Sequence, residues 1–361
     1  MITNYPEKTS LKEVLSTSLS TTSLKAICKS NGIFILTQDK DIIVRDAHLF
    51  FWGYNDINRI SNFMEDEKNY KKSFRLKLTF EASDNSDPET TAFADIYTKM
   101  TIYRNSMAVK DNIQFESLNI LDSVLIGEIS YVKKRPGKVE LLSETTQRFS
   151  FQVKKSGDNA INLDFIFNDR SDIFIAKKMI TNMLATSEEF STPTQISLKA
   201  LTIPERVGLF DRFFGYNFTN WRIISIQGIK ISDGANAPED EEEAEEMTES
   251  ILSGIKSALL NGSGLRSNPI VTQAVERGYF FPKATIMFEH RREAQRILID
   301  VAFNSDELLL EINVVSTYEV EEGRAYKHPF LADDQKVALE DFHDVISEIY
   351  GALKDERLAA T

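Results

Sequence analysis

The spacing of the apolar residues changes near residue 72, and this change decides which parts of the chain can be helical. Before it, apolar residues recur every three or four positions, as in SLKEVLST and SLKAICKS, which is the period of an amphipathic helix. After it, segments such as FRLKLTF alternate apolar with polar residues or are rich in β-branched and aromatic types, which is typical of strands. We therefore expect a helical module over residues 1–72 and a mainly β domain over residues 73–233.

The helical module is expected to form a helix, an extended loop, a second helix and one more helix. Gly32 follows the first periodic run, where a helix C-cap is expected. Thr37 or Asp39 precedes the next run, and either is a suitable N-cap, because its side-chain oxygen can accept from free N–H groups of the first turn. Residues 33–36 between them are expected to be extended.

The mainly β domain is expected to hold one helix over residues 172–184 among its strands. The segments that we expect to form strands are FRLKLTF, AFADIYTKMTIY, VLIGEISYV, KVELLS, RFSFQVKK, INLDFIFN, ISLKALTI and WRIISIQGIKIS.

The acidity of the chain is concentrated in its last third. The net charge is −13, and residues 234–361 hold 12 Lys and Arg against 26 Asp and Glu. Eight of the eleven residues from 239 to 249 are acidic, so we expect residues 234–249 to be a solvated linker. The first 233 residues are nearly neutral. The overall charge therefore does not exclude a basic surface there.

Residues 250–361 are expected to form an α+β domain with an antiparallel sheet, which makes the predicted fold class of the whole chain α+β. The pattern predicts a helix in TESILSGIKSALL, a helix that opens at Pro269, and a long final helix over residues 333–354. Three predicted strands lie between the last two helices: ATIMFE, QRILIDVAF and ELLLEINVV.

Cysteine usage and hydropathy exclude several classes of protein. The single cysteine, Cys28, excludes a disulfide framework and a cysteine-based zinc cage. No apolar run reaches the roughly 18–20 residues of a membrane span, and the N-terminus lacks the pattern of a secretory signal. We therefore expect a cytoplasmic protein that does not contact a membrane.

Residues 23–51, SLKAICKSNGIFILTQDKDIIVRDAHLFF, resemble the helix–extended loop–helix modules of the SAP and LEM families. The matching features are the leading LK, the NGI that ends the first helix and the DKDIIVR that opens the second. The resemblance implies a reader of the DNA or RNA backbone, with contacts from Lys25, Lys29, Lys40 and Arg45. LEM-like modules also bind proteins, so protein docking and plain structural packing remain alternatives.

Two further basic clusters occur within the first 140 residues. One lies at the junction of the helical module and the β domain and includes Lys71, Lys72 and Arg75. The other, Lys133, Lys134 and Arg135, precedes the turn pair Pro-Gly at a predicted hairpin tip. Cations suit phosphate because each neutralised phosphate releases condensed counterions. We include these residues among the candidate nucleic-acid contacts.

The C-terminal domain offers one candidate catalytic pair. Asp300 on its second predicted strand and Glu311 on its third resemble the PD-(D/E)xK nuclease core, which implies carboxylates that hold Mg²⁺ and a lysine that orients water. Asn313 stands where the lysine of that family belongs. Strand alternation places Glu311 and Asn313 on one polar face with Glu307, and we expect this face to bind a partner protein.

The function that the sequence predicts is that of a non-catalytic adaptor without a cofactor. Its first two thirds would bind nucleic acid, DNA rather than RNA, and its acidic C-terminal domain would bind another protein or a second copy. Such an arrangement suits a prokaryotic antiviral-defence or nucleic-acid-processing complex. The alternatives are a Mg²⁺-dependent nuclease built on Asp300 and Glu311, and a structural self-assembling protein.

Overall fold

The structure is a computed structural model that contains both helices and a large antiparallel sheet, so the predicted α+β class is confirmed. Among the residues that it describes, no helix is both long and apolar enough to cross a membrane. The acidic tract at residues 239–249 lies outside the described ranges. These ranges are 7–50, 52–53, 55–57, 59–60, 70–80, 88–106, 113–121, 123–134, 144–156, 159–184, 190–233, 257–261, 269–304, 307–328 and 330–360.

The described chain begins with helices, and the later helices lie between strands or after the last one. The helices are α1 (Lys8–Ser18), α2 (Thr21–Ser30), α3 (Lys40–Ala47), α4 (Pro88–Ser106), α5 (Asp172–Leu184), α6 (Ile203–Gly215), α7 (Pro269–Glu276) and α8 (Ala332–Ala360). The strands are β1 (Lys72–Thr79), β2 (Ile113–Leu121), β3 (Val124–Lys134), β4 (Glu144–Lys155), β5 (Ala160–Phe167), β6 (Trp221–Asp233), β7 (Ser257–Asn261), β8 (Tyr279–His290), β9 (Gln295–Asn304), β10 (Leu309–Glu321) and β11 (Arg324–Lys327).

The chain divides into two compact units. The first comprises Met1–Asn69, Thr98–Asn119 and Ile126–Ser150, and the second comprises Tyr70–Tyr97, Ile120–Leu125 and Phe151–Thr361. These units do not follow the boundaries expected from the sequence. In the second unit, β1 pairs with β10 and β6 pairs with β8, so strands from both sides of residues 234–249 share one sheet.

The first unit begins with α1 and α2, which precede residues 33–36, and with α3, which follows them. Of the two expected caps of α3, Asp39 is the one that forms: its carboxylate accepts from the N–H groups of Asp41 and Ile42. Gly32 ends α2 in the left-handed region, with φ at +75°. A core that includes Trp52 lies between the helices, and the Trp52 indole donates to the carbonyl of Ala47.

Helix α4 corrects one strand prediction. AFADIYTKMTIY was expected to form a strand because it is rich in aromatic and β-branched residues, but the whole segment is helical. The buried side chains are Phe93, Ile96, Met100 and Tyr103, which are separated by three, four and three residues. This is the helical period, and it outweighs the strand preference of the individual residues.

The second unit is built on an antiparallel sheet with the strand order β4-β5-β1-β10-β9-β8-β6-β7, to which β4 contributes Phe151–Lys155. Helices α6 and α8 contribute to its largest core. Aromatic rings dominate this core: Phe213 on α6 and Phe342 on α8 both contact Phe288 on β8. The long final helix thus has its apolar side fixed against the sheet.

Strand β7 corrects a second prediction, whereas three helices are confirmed. TESILSGIKSALL was expected to be helical, but its described part forms β7 and pairs with β6. A short apolar run does not distinguish a strand from a helix by its period alone. Helix α5 covers residues 172–184 as predicted, and α7 opens at Pro269. Helix α8 begins one residue before and ends six residues after the predicted 333–354.

Candidate nucleic-acid interface

The connection between α2 and α3 places two large apolar side chains on the surface of the first unit. Ile33 and Ile35 pack against the core of this unit. Phe34, which lies between these two isoleucines, is 75% exposed, and Leu36, which follows them, is 95% exposed. Successive side chains of an extended chain point to opposite sides, so anchoring the two isoleucines turns the other two outward. We call residues 33–36 the apolar loop.

Lysines stand at both ends of the apolar loop. Lys25 and Lys29 lie four residues apart on α2, hence on one side of that helix, and Lys40 is the first residue of α3. Lys29 is exposed, and Lys25 and Lys40 are half-buried. Within the described ranges, none of the three has an ion-pair or hydrogen-bond partner for its ammonium group. Their charges are therefore available to an anion.

Arg45, the fourth cation predicted for this module, is already paired. Its Nε donates to the Asp46 carboxylate at 2.9 Å, and both side chains are exposed. This hydrogen bond raises the pKa of Arg45 and lowers that of Asp46. The neighbouring carboxylate offsets the charge of Arg45, so we leave it out of the interface.

The junction cluster lies in the second unit and is largely engaged there. The Lys71 ammonium donates to Asn168 at 3.0 Å, and Lys72 is half-buried on β1. Arg75 is buried and bound to the carboxylates of Asp164 and Asp344. The Arg75 guanidinium thus acts inside the second unit, and the exposed phosphate contact that we expected of it does not fit this position.

The third cluster is described only in part. Lys133 is half-buried at the end of β3. Lys134 is the last residue of that strand, and Arg135 and the predicted hairpin tip after it lie outside the described residues. The nucleic-acid contact expected of this cluster therefore stays a prediction.

The two carboxylates of the nuclease interpretation do lie on one face of the second unit's sheet. Asp300 on β9 pairs with Asn313 on β10, and Glu311 pairs with Ala302, two positions along β9. The Asp300 carboxylate binds the Lys283 ammonium at 2.6 Å. It also accepts from the Thr285 hydroxyl.

Glu311 is neutralised in the same way. Its carboxylate accepts from the Arg170 guanidinium and from the Asn304 amide, each at 3.0 Å, and the Glu311 side chain is only 9% exposed. Each carboxylate of the pair is thus bound to its own cation. No group of three or more His, Cys, Asp or Glu residues suited to a metal ion occurs within the described ranges.

The residues predicted to bind a partner protein differ in exposure. Glu307 is exposed and forms an ion pair with Lys199 at 3.0 Å. Glu311 is buried, and Asn313 is half-buried with its Oδ1 lacking a hydrogen-bond partner among the described residues. Of these three residues, only Glu307 therefore has an exposed carboxylate, and it carries the Lys199 ammonium.

A buried polar cluster under α8 was not foreseen from the sequence. The Ser73 hydroxyl lies 2.9 Å from His343 Nε2 and 3.2 Å from the carbonyl of Ile312. Both side chains are inaccessible to solvent, so this serine–histidine pair fixes α8 to the sheet and cannot meet a substrate. The sequence shows polar residues on β1 and α8, but only the fold shows that they lie close together.

Phe34 and Leu36 were likewise not expected to be functional residues from the sequence. The available signal was the run of four apolar residues in NGIFILTQ between two helices. An extended run of this kind cannot bury both of its sides against one small core, so two of the four side chains remain exposed.

Comparison with known proteins adds no family. No protein-family model matches the chain, and no curated protein matches it. The di-domain ARO/CYC StfQ from the steffimycin biosynthetic pathway aligns at 8% identity over 80% of this chain and 99% of its own, with a TM-score of 0.20. DynU16, a putative protein in the dynemicin biosynthetic locus, aligns at 9% identity over 79% and 98%, with a TM-score of 0.17. The di-domain ARO/CYC BexL from the BE-7585A biosynthetic pathway aligns at 6% identity over 78% and 97%, with a TM-score of 0.15. At such TM-scores these similarities carry no inference about this chain.

Proposed function

We propose that the chain is a non-catalytic adaptor that binds nucleic acid through its helical module. The observation that supports this function best is the group of three lysines, Lys25, Lys29 and Lys40, around the apolar loop. They have no intramolecular partner in the described part of the chain. Cations in this position can neutralise backbone phosphates and release their counterions, which provides most of the affinity of non-specific nucleic-acid binding.

The non-catalytic part of the proposal follows from the state of Asp300 and Glu311. Mg²⁺ prefers ionised carboxylates that are free to coordinate it. Here Lys283 holds Asp300 and Arg170 holds Glu311, so a metal ion would have to displace both cations. Because Asn313 cannot replace the charge of the family's lysine, the water-activating group of the nuclease resemblance is also missing. These contacts favour binding over hydrolysis.

The same proposal assigns the protein contact of the adaptor to the acidic second unit. Residues 234–361 contain more than twice as many acidic as basic residues, and Glu307 presents an exposed carboxylate beside Lys199. The partner would be a basic protein surface or a second copy of the chain. An adaptor of this kind would suit a nucleic-acid-processing or antiviral-defence complex. Light scattering with and without Glu307→Gln distinguishes a second copy from a different protein.

Fluorescence anisotropy with labelled single- and double-stranded DNA and RNA tests the nucleic-acid contact. We expect binding whose affinity falls steeply between about 50 and 200 mM salt. The triple variant Lys25→Gln/Lys29→Gln/Lys40→Gln should reduce the slope of log K against log salt by about 2 to 3, since each phosphate contact contributes about 0.7–0.9. The matched control is Lys8→Gln/Lys12→Gln, which changes two exposed lysines on α1 and should leave the slope unchanged.

Three results would contradict the proposal. If the protein does not bind at the lower salt concentration, the nucleic-acid function is wrong. If the salt slope is the same in the triple variant and the wild type, the helical module is not the interface. If the labelled strand is cleaved when Mg²⁺ is added, the protein is not a non-catalytic adaptor.

A further inference from the structure

We infer that the apolar loop binds the unpaired bases of a single strand, with Phe34 as the stacking side chain. This inference rests on the proposed function and names the class of nucleic acid that the same site takes. A base contact gives a role to the exposed ring of Phe34, whereas phosphate binding by the lysines does not involve this ring.

The exposure of Phe34 and Leu36 has a specific geometry. Burial alternates along residues 33–36, as it does along an extended chain, which places the side chains of Phe34 and Leu36 on the same side of the backbone. Two positions of an extended chain span about 7 Å. A base occupies about 3.4 Å along a strand. The space between Phe34 and Leu36 therefore fits one base in contact with both, with the phenyl ring on one of its faces.

A duplex cannot use this feature. In a double helix the faces of the bases are covered by their neighbours, whereas in a single strand each base has a free π-face for an aromatic side chain. Phe34 is 75% exposed on a loop whose other side is anchored by Ile33 and Ile35. The ring is thus held outward without the need to reorganise the module.

The charges around the apolar loop favour a polyanion as the occupant. Lys29 precedes the loop and Lys40 follows it, so cations stand at both ends of the proposed base contact. Of the carboxylates nearby, Asp39 caps α3 and Asp46 pairs with Arg45, while Asp41 stays exposed. Single-strand binding sites combine these two elements, a basic track for the backbone and an aromatic ring for the bases.

The test compares a labelled oligothymidine with a hairpin duplex of equal length at one salt concentration. We expect the single strand to bind at least about tenfold more tightly. Phe34→Ala should weaken single-strand binding by about 5- to 150-fold, the range measured for loss of one base–aromatic stack, and leave duplex binding unchanged. Because stacking is not electrostatic, the salt slope should not change in this variant.

Two further variants keep the result interpretable. Phe34→Tyr retains the ring and should retain the affinity. Leu49→Ala removes another exposed apolar side chain of the same module, 60% exposed just after α3, and should have no effect. In Phe34→Trp, the exposed indole should be quenched when the single strand is added.

The failure of this inference is distinguishable from the failure of the proposed function. If duplex and single strand bind equally, and Phe34→Ala affects neither, while the triple lysine variant still loses its salt dependence, the base contact is overturned and the nucleic-acid function stands. If neither probe binds, both are overturned. If Phe34→Ala and Leu49→Ala weaken binding equally, the loop acts as a general apolar surface of the kind that docks proteins, and the base contact is overturned.

Discussion

Arg75 on β1 and Asp164 on β5 occupy paired positions of the sheet and bind each other in the interior of the second unit. The Arg75 Nη2 donates to Asp164 Oδ2 at 2.9 Å, its Nε donates to the other carboxylate oxygen, and its Nη1 reaches Asp344 on α8 at 2.6 Å. Burial alone would lower the pKa of Arg75. The charges and hydrogen bonds of Asp164 and then of Asp344 outweigh this effect and raise the pKa. The cation therefore joins two strands and a helix.

We expect Asp164→Asn to lower the free energy of unfolding of the second unit by about 3 kcal/mol or more. The substitution keeps the shape of the side chain but leaves the buried Arg75 charge with Asp344 alone, and removing one partner of a buried pair costs about 3–5 kcal/mol. The measurement is urea unfolding followed by Trp221 fluorescence in a Trp52→Phe background, since these are the only two tryptophans and Trp221 reports on this unit.

The control for this prediction is Glu356→Gln. It breaks the Arg212–Glu356 pair, whose side chains are 42% and 58% exposed, and should change the free energy of unfolding much less than Asp164→Asn does, because solvent screens an exposed pair. The double variant Arg75→Met/Asp164→Leu should be more stable than Asp164→Asn, because it leaves no unpaired buried charge. If Asp164→Asn and Glu356→Gln lowered the free energy of unfolding equally, the buried pair would contribute no more to stability than the exposed pair.

The second prediction concerns His343, which is fully buried beside Ser73. Burial and, to a smaller extent, the nearby Arg75 cation together lower the pKa of His343 to about 3, against the smaller opposing effects of Asp164 and of the hydrogen bond with Ser73. The unfolded chain, with an ordinary histidine pKa of 6.5, therefore binds the proton more readily than the folded protein. Stability should be fully present above pH 6.5 and fall as the pH decreases, by up to about 1.4 kcal/mol per pH unit.

His343→Gln should reduce the slope of the free energy of unfolding against pH between pH 6.5 and 4. The reduction should correspond to close to one proton. The measurement is the free energy of unfolding from urea titrations at several pH values, again with Trp221 as the probe. His328→Gln, at an exposed histidine, is the matched control and should leave the slope as it is in the wild type. A His343→Gln variant with the wild-type slope would show that this histidine does not carry the acid sensitivity.

The local structure of the chain was predictable wherever one signal was sufficient. The Asp39 cap, the helix that opens at Pro269 and the helix over residues 172–184 follow from residue types at fixed offsets along the sequence. AFADIYTKMTIY failed because its residue types favour a strand while their spacing, Phe93 to Ile96 to Met100, is helical. The spacing prevailed because a helix buries all of these side chains on one side.

The candidate site was predictable only in part, for a related reason. The lysines around the apolar loop could be named, because charge at a helix end is a local property. The exposure of Phe34 depends instead on which neighbours the core of the first unit accepts. The role of Arg75 depends on Asp164, 89 residues away, and on Asp344, 269 residues away. No pattern in the sequence specifies contacts over such separations.

The third prediction uses two glycines in which an added methyl group meets open space. Gly32 has a φ of +75°, whereas Gly215 at the end of α6 does not have a positive φ. Gly32→Ala should destabilise the first unit by about 1–2 kcal/mol, because the left-handed region is costly for a side chain. Gly215→Ala should stabilise the second unit by about 0.4–1 kcal/mol, because it restricts the unfolded chain.

Unfolding curves followed by Trp52 for the first unit and Trp221 for the second would show the two opposite shifts. If Gly32→Ala were neutral, α2 would not end in the left-handed conformation that the structure shows.

The last prediction separates the adaptor from the nuclease alternative without relying on a substrate. A ligand that binds only the folded state raises its stability in proportion to the logarithm of its concentration. Because Asp300 and Glu311 are held by Lys283 and Arg170, we expect millimolar Mg²⁺ to leave the unfolding midpoint of the second unit unchanged. Lys283→Met should lower that midpoint in the absence of metal, because it leaves the half-buried Asp300 without its cation. If Mg²⁺ raised the midpoint of the wild type but not that of Asp300→Asn/Glu311→Gln, the carboxylates would be metal ligands, and the adaptor would have to be reconsidered as an enzyme.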